Sequence, residues 1–162
     1  MIIDNKWELI RSVFAQAFNS CMHYAMATVN EDGSPHVTPI GALILREDRT
    51  GYFFDEYCTR TRDNLNSNPR ACFLAVNADK AFWGKSLADG KFASPPAIRI
   101  SGTVRAPREA TGEEIAAWQN HVAFARGTRG YEIMWSRMHI VRDVLFDSLE
   151  PVEVAAMTDG LL

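Results

Sequence analysis

A polar segment between two apolar runs constrains the fold of this chain more than any other stretch. Residues 57–69 read YCTRTRDNLNSNP, and they separate the aromatic residues 52–54 from the apolar residues 71–76. Short apolar runs are typical of strands, whereas a polar segment that opens with threonines and ends at Asn-Pro is typical of a short helix. We therefore predict strand, helix and strand, with Thr59 or Thr61 capping the helix.

The start of this predicted helix has the composition of an anion site. The first turn of a helix carries unpaired backbone N–H groups and the positive end of the helix dipole. Arg60 and Arg62 add two positive charges there, and the threonines add hydroxyl groups. Such a group suits a dianion, most simply a phosphate ester. The alternative is a capped surface helix with two solvated arginines, since capping residues occur at most helix starts.

Composition and charge restrict the class of protein. A chain of 162 residues with 47% apolar and 23% charged residues fits one globular domain, here residues 1–162. The net charge of −3 gives no case for a nucleic-acid surface, and no apolar run approaches the length of a membrane span. The N-terminal residues lack the pattern of a signal peptide, so we expect a cytoplasmic protein.

Cysteines and histidines predict neither a disulfide nor a metal centre. Cys21, Cys58 and Cys72 are an odd number at wide spacing, which indicates reduced thiols. The 4 histidines are scattered, and no pair of ligand-spaced half-sites is present. The sequence also lacks Gly-x-Ser-x-Gly, a P-loop and Gly-x-Gly-x-x-Gly, so hydrolase, nucleotide-hydrolase and Rossmann interpretations have no support.

The rest of the chain alternates between strand and helix patterns. Capping boxes are predicted at Asn5 with Glu8 and at Thr111 with Glu114, and an Asp-Gly turn at 32–33 predicts a hairpin. We predict helices at 5–18 and 111–125, strands at 21–30, 36–45, 52–57, 70–76 (covered on both faces), 97–106 and 139–149, a further short strand at 81–84, and a loop at 85–96. Short strands with evenly spaced turns favour a mainly β (α+β) fold that closes as a barrel.

Three segments in this order resemble the FMN-binding split β-barrel family, the pyridoxamine 5′-phosphate oxidase-like proteins. They are 27–41 (ATVNEDGSPHVTPIG), 52–54 (YFF) and 61–70 (TRDNLNSNPR). The family pattern is a strand ending near a proline, an aromatic strand, a basic-threonine step with an Asn-Leu helix, and Asn-Pro before an apolar strand. The resemblance implies a six-stranded antiparallel split β-barrel with peripheral helices. It also implies a homodimer that binds FMN noncovalently at the subunit interface.

The resemblance also assigns cofactor-binding residues. The segment expected along the isoalloxazine ring is Thr38, Pro39 and Ile40. The residues expected around the ribityl phosphate are Cys58, Thr59, Arg60 and Thr61, with Asn64 helping to close the phosphate pocket. In this assignment Arg60 supplies the charge and Arg62 is a bystander. Ile40, Phe53 and Phe54 are expected to form an apolar slot for the ring, with plain core packing as the alternative for the two phenylalanines.

An FMN-dependent oxidoreductase is the activity that the resemblance implies, with two-electron transfer between FMN and a small organic substrate or NAD(P)H. The flavin supplies the chemistry, so no catalytic side chain is assigned. Residues 157–162 lack the Arg- and Pro-containing strand of the vitamin B6 oxidases, so oxidation of pyridoxamine phosphate is not expected. The alternatives are a noncatalytic flavin-binding or stress protein, and a relative that uses deazaflavin or haem.

Two segments are candidates for the substrate side of the flavin. Residues 79–96 place three lysines around Phe82 and Trp83, and residues 126–137 place Tyr131 and Trp135 among arginines. In the alternative interpretation these aromatic side chains simply anchor both segments to the barrel.

Overall fold

Helices and strands alternate along the chain and build an antiparallel sheet. The computed structural model describes residues 3–162, except for the side chain of Asp4. Its helices are α1 (Trp7–Cys21), α2 (Thr59–Ser67), α3 (Lys80–Asp89), α4 (Gly112–His121) and α5 (Arg129–Met134), with 3₁₀ turns at Asp4–Lys6 and Ala123–Ala125. Its strands are β1 (Tyr24–Val29), β2 (Pro35–Ile40), β3 (Leu43–Leu45), β4 (Thr50–Phe54), β5 (Arg70–Val76), β6 (Ala97–Val104), β7 (Arg108–Glu109) and β8 (Ile140–Pro151). Within the described range, no helix is long and apolar enough to cross a membrane.

The two edges of the sheet are consecutive in the chain. The strand order is β2-β1-β5-β6-β8-β4-β3, and β7 pairs with β8. The predicted strand 36–45 is therefore two strands, one at each edge, joined through Gly41 and Ala42. A Cβ at Gly41 would lie 3.1 Å from the Met22 carbonyl oxygen, so the bend brings two backbones close together. The sheet curls into a barrel split between β2 and β3, which confirms the predicted fold class, with eight strands in place of six over residues 3–162.

Apolar side chains form one main core and one smaller cluster. Helix α1 buries one face, including Trp7, Ile10 and Phe14, against the inner side of the sheet. The smaller cluster lies under α4 and α5 and contains Trp118 and Tyr131. The predicted amphipathic helix at 5–18 is therefore confirmed, although it runs from Trp7 to Cys21.

The two predicted capping boxes have opposite outcomes. The Glu114 amide donates to Thr111 Oγ1 over 3.2 Å, and the Thr111 amide donates to Glu114 Oε2 over 2.9 Å, so the second box is confirmed. The first box is wrong, because α1 begins at Trp7 after a 3₁₀ turn and has no side-chain cap. The helix ends at Met22 with a φ of 61°, so residues 21–23 are not part of β1.

Helix α3 lies where a strand at 81–84 and the loop 85–96 were predicted. Asp79 caps this helix, because its Oδ1 accepts a hydrogen bond of 2.6 Å from the Phe82 amide. Gly90 ends the helix in the left-handed conformation, with a φ of 68°. Asp79 and Gly90 are the start and stop signals of a helix. The strand was predicted instead because Phe82 and Trp83 are aromatic residues, which are common in strands.

Strand β5 is covered on one face only in the single chain. Ala71, Phe73 and Ala75 are buried, whereas Cys72 and Leu74 are half-exposed on the opposite face. The prediction that this strand is covered on both faces is therefore wrong for the single chain, because Cys72 and Leu74 remain half-exposed among the described residues. A partly apolar outer surface results.

Four charged side chains join α4 to the sheet. Arg46 donates to Glu114 over 2.6 Å and to Asp143 over 3.0 Å, and Arg108 donates to the same two carboxylates over 2.8 Å and 2.7 Å. The hydrogen bonds from Arg108 lower the pKa of Glu114 to about 2, and those from Thr111 and Arg46 add to the effect against the opposing burial. Hydrogen bonds from Arg108 and Arg46 also lower the pKa of Asp143.

We expect acid to weaken this network, and Glu114→Gln to reduce that acid dependence. The pKa of Glu114 is lower in the folded protein than in the unfolded chain, so its stabilisation is complete above the ordinary value of 4.5 and is lost as pH falls towards about 2. At pH 7, Glu114→Gln should lower the free energy of unfolding by about 1–3 kcal/mol. Urea unfolding at a series of pH values measures both effects. The exposed neighbour Glu113→Gln is the control, and equal changes in both variants would contradict the prediction.

A second expectation concerns Gly102 at the irregularity between β6 and β8. A Cβ at this position would lie 2.3 Å from the Leu145 carbonyl oxygen, which is backbone and cannot yield easily. Gly102→Ala should therefore destabilise the protein by at least ~2 kcal/mol. Gly84→Ala, inside α3 with no atom near the new Cβ, should stabilise it by up to ~1 kcal/mol. Thermal unfolding of the two variants is the measurement, and the expectation fails if they shift in the same direction.

Candidate functional site

Helix α2 begins without a side-chain cap. Its N-cap residue is Cys58, which is half-buried, and no side chain in residues 3–162 caps the first turn. The first intrahelical hydrogen bond runs from the Arg62 amide to the Cys58 carbonyl oxygen over 3.0 Å. The prediction that Thr59 or Thr61 caps this helix is therefore wrong. The consequence is that the preceding amides of the first turn remain available to an external acceptor.

Thr61 brings an unpaired hydroxyl to this first turn. Only 2% of the residue is exposed, and its Oγ1 has no hydrogen-bond partner within the described residues. A buried hydroxyl without a partner destabilises a protein, so such atoms are rare and point to a missing partner. The Thr61 hydroxyl therefore keeps an unused hydrogen-bond donor at the first turn of α2.

The two arginines near the start of α2 differ in their contacts. The Arg62 guanidinium donates to the Asp55 carbonyl oxygen over 2.8 Å, and its Nε lies 3.6 Å from Asp55 Oδ2. Arg60 is exposed and forms no ion pair with another described residue. Its charge is a minor contribution to the lowered pKa of Asp32, which hydrogen bonds from Ser34 chiefly cause. Arg60 therefore lies on the side of α2 that faces the β1–β2 turn, and its charge is free for a ligand.

Asn64 ties α2 to the end of β1. Its Nδ2 donates to Thr28 Oγ1 over 3.0 Å and to Asn30 Oδ1 over 2.9 Å, and the residue is 5% exposed. Both amide hydrogens are thus used within the protein. Asn64 can shape a phosphate pocket through the position of the helix, but it has no donor left for the phosphate itself.

The predicted ring-binding segment lies on the edge strand β2. Thr28, which Asn64 contacts, pairs with His36 of this strand. Thr38 and Ile40 follow His36 by two and four residues, roughly 7 and 13 Å further along the strand. The segment therefore extends away from α2 along the free edge of the sheet.

The expected apolar slot for the ring is not formed by the side chains that were predicted. Ile40, Phe53 and Phe54 are buried at 7%, 2% and 3% exposure and pack in the two core clusters. The alternative of core packing therefore holds for the phenylalanines, and for Ile40 as well. Pro39 points to the opposite side of β2, and its side chain is exposed.

The outer face of the sheet near β2 is apolar at its centre and charged at its rim. Adjacent strands place Pro39, Ala25 and Leu74 in one row and Val37, Ala27 and Cys72 in the next. Val37 is 62% exposed. Ion pairs flank this face, one between Arg99 and Glu150 and one between Arg70 and Asp147. An apolar centre within a charged rim is typical of a protein interface.

The two candidate substrate segments lie in different places. Phe82 and Trp83 of α3 pack on Phe92, which follows the helix, with ring centroids 5.5 and 5.0 Å apart. These aromatic side chains therefore anchor α3 to the loop that follows it. α3 adjoins the end of β5 that is remote from α2. In α5, the Ile133 carbonyl oxygen accepts a hydrogen bond of 3.2 Å from the Tyr57 hydroxyl. The segment 126–137 therefore contacts the loop that leads into α2.

Sequence reasoning missed the buried charges behind α2. Arg142 is 2% exposed and donates to Asp55 Oδ2 over 2.6 Å. A signal was present, because Arg142 shares strand parity with the buried residues Val144 and Phe146 and so faces inwards. A buried arginine requires an acidic partner. No cluster of three potential metal ligands lies in residues 3–162.

The fold is a split β-barrel, and the helix that follows its aromatic strand begins without a side-chain cap. A family model described as pyridoxamine 5′-phosphate oxidase matches residues 12–144, and the chain belongs to that family. No curated protein sequence matches it significantly.

Solved structures with the same fold have low sequence identity to this chain. An FMN-binding protein from Syntrophomonas wolfei subsp. wolfei has 16% identity and a TM-score of 0.58, over 94% of this chain and 95% of that one. An F420 reductase has 13% identity and a TM-score of 0.55, over 85% and 95%. HupZ from Group A Streptococcus has 16% identity and a TM-score of 0.55, over 87% and 91%. At these identities the similarity shows the fold alone.

We expect Thr61→Val to stabilise the ligand-free protein. Valine has nearly the shape of threonine without the unpaired hydroxyl, so the free energy of unfolding should rise by about 0.5–2 kcal/mol. Thr59→Val, at an exposed position of the same turn, should change it by less than ~0.5 kcal/mol. Urea unfolding of both variants without added ligand measures the effect. A destabilised Thr61→Val protein would mean that the hydroxyl already has a partner.

Proposed function

We propose that this chain is an FMN-dependent oxidoreductase that transfers two electrons between FMN and a small organic substrate or NAD(P)H. The observation that carries the proposal is the start of α2, which no side chain of the described residues caps. Its first turn contains the unpaired Thr61 hydroxyl and the exposed Arg60, which forms no ion pair with another described residue. These groups offer the hydrogen-bond donors and the positive charge that a phosphate dianion requires. Membership of the family supports flavin as the group that carries this phosphate.

The phosphate would be held by the first turn of α2. The amides of this turn and the hydroxyls of Thr59 and Thr61 would donate hydrogen bonds to its oxygens, and Arg60 would supply the charge. Cys58, as the N-cap residue, would border the phosphate without a charge. Bound FMN would supply the redox chemistry, and the protein would orient it and limit its contact with water.

The ring would lie along the free edge of β2. Thr38, Pro39 and Ile40 would border the ring at this edge, because β2 has a neighbouring strand on one side only among the described residues. The backbone acceptor there would be the Pro39 carbonyl oxygen, which faces away from β1. Ile40 would only border the ring at the end of β2, because its side chain belongs to the core. Proline at an edge position is consistent with a strand that does not need a second partner.

A second copy of the chain would complete the site. The apolar outer face that includes Val37 and Leu74 adjoins the ring-binding edge, and pairing two such faces would remove this surface from water. The interface would then place the flavin between two barrels. We therefore propose a homodimer with FMN at the subunit interface.

The test is a set of cofactor titrations followed by reduction. Purified protein freed of small molecules is titrated separately with FMN, riboflavin, F420 and haemin, and absorbance and fluorescence report binding. The FMN complex is then mixed anaerobically with NADH or NADPH, and bleaching of the flavin absorbance reports electron transfer. Preference for F420 or haemin would replace FMN in the proposal. Tight FMN binding without reduction by any donor, or reoxidation by any acceptor, would indicate a noncatalytic flavin-binding protein.

We expect Arg60→Ala and Thr61→Ala each to weaken FMN by ~1–3 kcal/mol, the range for a charge-assisted hydrogen bond. This corresponds to a rise in Kd of about 5- to 150-fold, whereas the Kd for riboflavin should change little because riboflavin lacks the phosphate. Isothermal titration calorimetry measures both ligands. Arg11→Ala on α1 is the control for loss of one positive charge. Unchanged FMN affinity in both α2 variants would remove the phosphate site from α2.

A further inference from the structure

Helix α2 has little apolar packing to hold it in place. Its sequence is TRTRDNLNS, and only Thr61, Asn64 and Leu65 are buried. Within residues 3–162, Leu65 is the single apolar side chain that α2 contributes to the core. The direction of the helix must therefore depend on polar contacts, and hydrogen bonds fix direction more strictly than apolar contacts do.

Arg142 of β8 contacts both the segment that precedes α2 and the last turn of α2. Its Nε donates to Asp55 Oδ2 over 2.6 Å, and one terminal nitrogen donates to Asn66 Oδ1 over 2.8 Å. Asp55 precedes the helix, and Asn66 lies in its last turn. One rigid guanidinium group thus sets the spacing between the entry and the end of the helix.

Further hydrogen bonds tie the entry segment to β8. The Asp55 amide donates to the Ile140 carbonyl oxygen over 2.9 Å. Glu56 Oε1 accepts hydrogen bonds from the amides of His139 and Ile140 over 2.7 and 3.0 Å. Arg62 donates from within α2 to the Asp55 carbonyl oxygen. The start of α2 is therefore fixed against β8, and Arg142 is the buried side chain at the centre of these contacts.

Stability alone does not explain this buried pair. Asp55 and Arg142 are each 2% exposed, and Asp55 Oδ1 has no hydrogen-bond partner within the described residues. Moving two charges out of water costs about as much as their attraction returns, so apolar residues of similar volume often serve stability equally well. A buried pair of this kind is better suited to fixing one geometry.

We propose that Arg142 is a positioning residue for the phosphate site, which holds the first turn of α2 at the angle that a phosphate group requires. The inference rests on the proposed function. Arg142 does not contact the ligand, and it acts through Asp55 and Asn66. Hydrogen bonds to a phosphate weaken steeply when the donors are misaligned, whereas riboflavin makes no use of these donors.

The experiment compares the Kd values for FMN and riboflavin in four variants and measures their thermal unfolding. Arg142→Met removes the link and leaves the buried Asp55 with only the more distant Arg62, whose Nε lies 3.6 Å from Asp55 Oδ2. The double variant Asp55→Leu with Arg142→Met replaces the pair by apolar groups and should restore most of the stability. Asn66→Ala removes one contact at an exposed position, so folding is not at risk. Arg11→Met on α1 is the matched control.

We expect the preference for FMN over riboflavin to fall about tenfold in the double variant, the effect of roughly one charge-assisted hydrogen bond. Asn66→Ala should lower it in the same direction, and Arg11→Met should leave it unchanged. A double variant with wild-type stability and the wild-type preference would overturn the inference, since the pair would then be structural only. A wild-type protein with no preference for FMN would instead refute the phosphate site and with it the proposed function.

Discussion

Pairing of β8 with both β4 and β6 holds the two halves of the barrel together. This strand of 12 residues is the longest in the described range, and it also pairs with β7. Successive side chains of a strand point to opposite faces. Arg142 and Asp143 therefore leave β8 in opposite directions, one to the segment around α2 and the other to the charges beneath α4. A single backbone element thus sets the position of both polar networks.

The two polar networks differ in exposure and in hydrogen bonding. The cluster of Arg46, Arg108, Glu114 and Asp143 is partly exposed, each carboxylate has two arginine partners, and the pKa values of both carboxylates are lowered. These are the properties of a stabilising charge cluster. The pair of Asp55 and Arg142 is buried, and one carboxylate oxygen lacks a partner. Such a pair adds little stability, because the cost of removing two charges from water offsets their attraction.

Helices α1 and α2 show that the composition of a helix decides whether apolar packing or hydrogen bonds fix its position. α1 buries six apolar or aromatic side chains and can settle into the core wherever these fit. α2 is too polar for that. Its contacts with the sheet include the hydrogen bonds from Asn64 to Thr28 of β1 and from Arg142 of β8 to Asn66. A polar helix is poor at filling a core, but its first turn stays in contact with solvent and with any ligand that arrives there.

Sequence patterns predicted the elements whose signals are local. The face of α1, the Thr111 box and the alternation of β6 all follow from spacing within a single segment, and the structure confirms them. The break at Gly41 could not be predicted, because it depends on the approach of Met22 from another segment. The cap of α2 was misplaced because threonine is a frequent N-cap residue and Cys58 is not.

The site was predictable to a similar degree. A short polar helix after an aromatic strand indicated the start of α2, and the resemblance assigned the candidate phosphate-binding residues. The hydrogen bonds of Asn64 to Thr28 and Asn30 could not be predicted, since they join residues more than thirty positions apart. The same holds for the partner of Arg142, which lies 87 positions away.

The prolines of β2 bear on how the protein avoids aggregation. An exposed sheet edge invites strands from other molecules, because its backbone donors and acceptors can extend the sheet. Pro35 and Pro39 share one parity of β2, and proline is tolerated in a sheet where its nitrogen faces away from the neighbouring strand. The free edge of β2 therefore lacks two amide donors but retains its carbonyl oxygens. Such an edge resists growth into fibrils and can still accept hydrogen bonds from a small molecule.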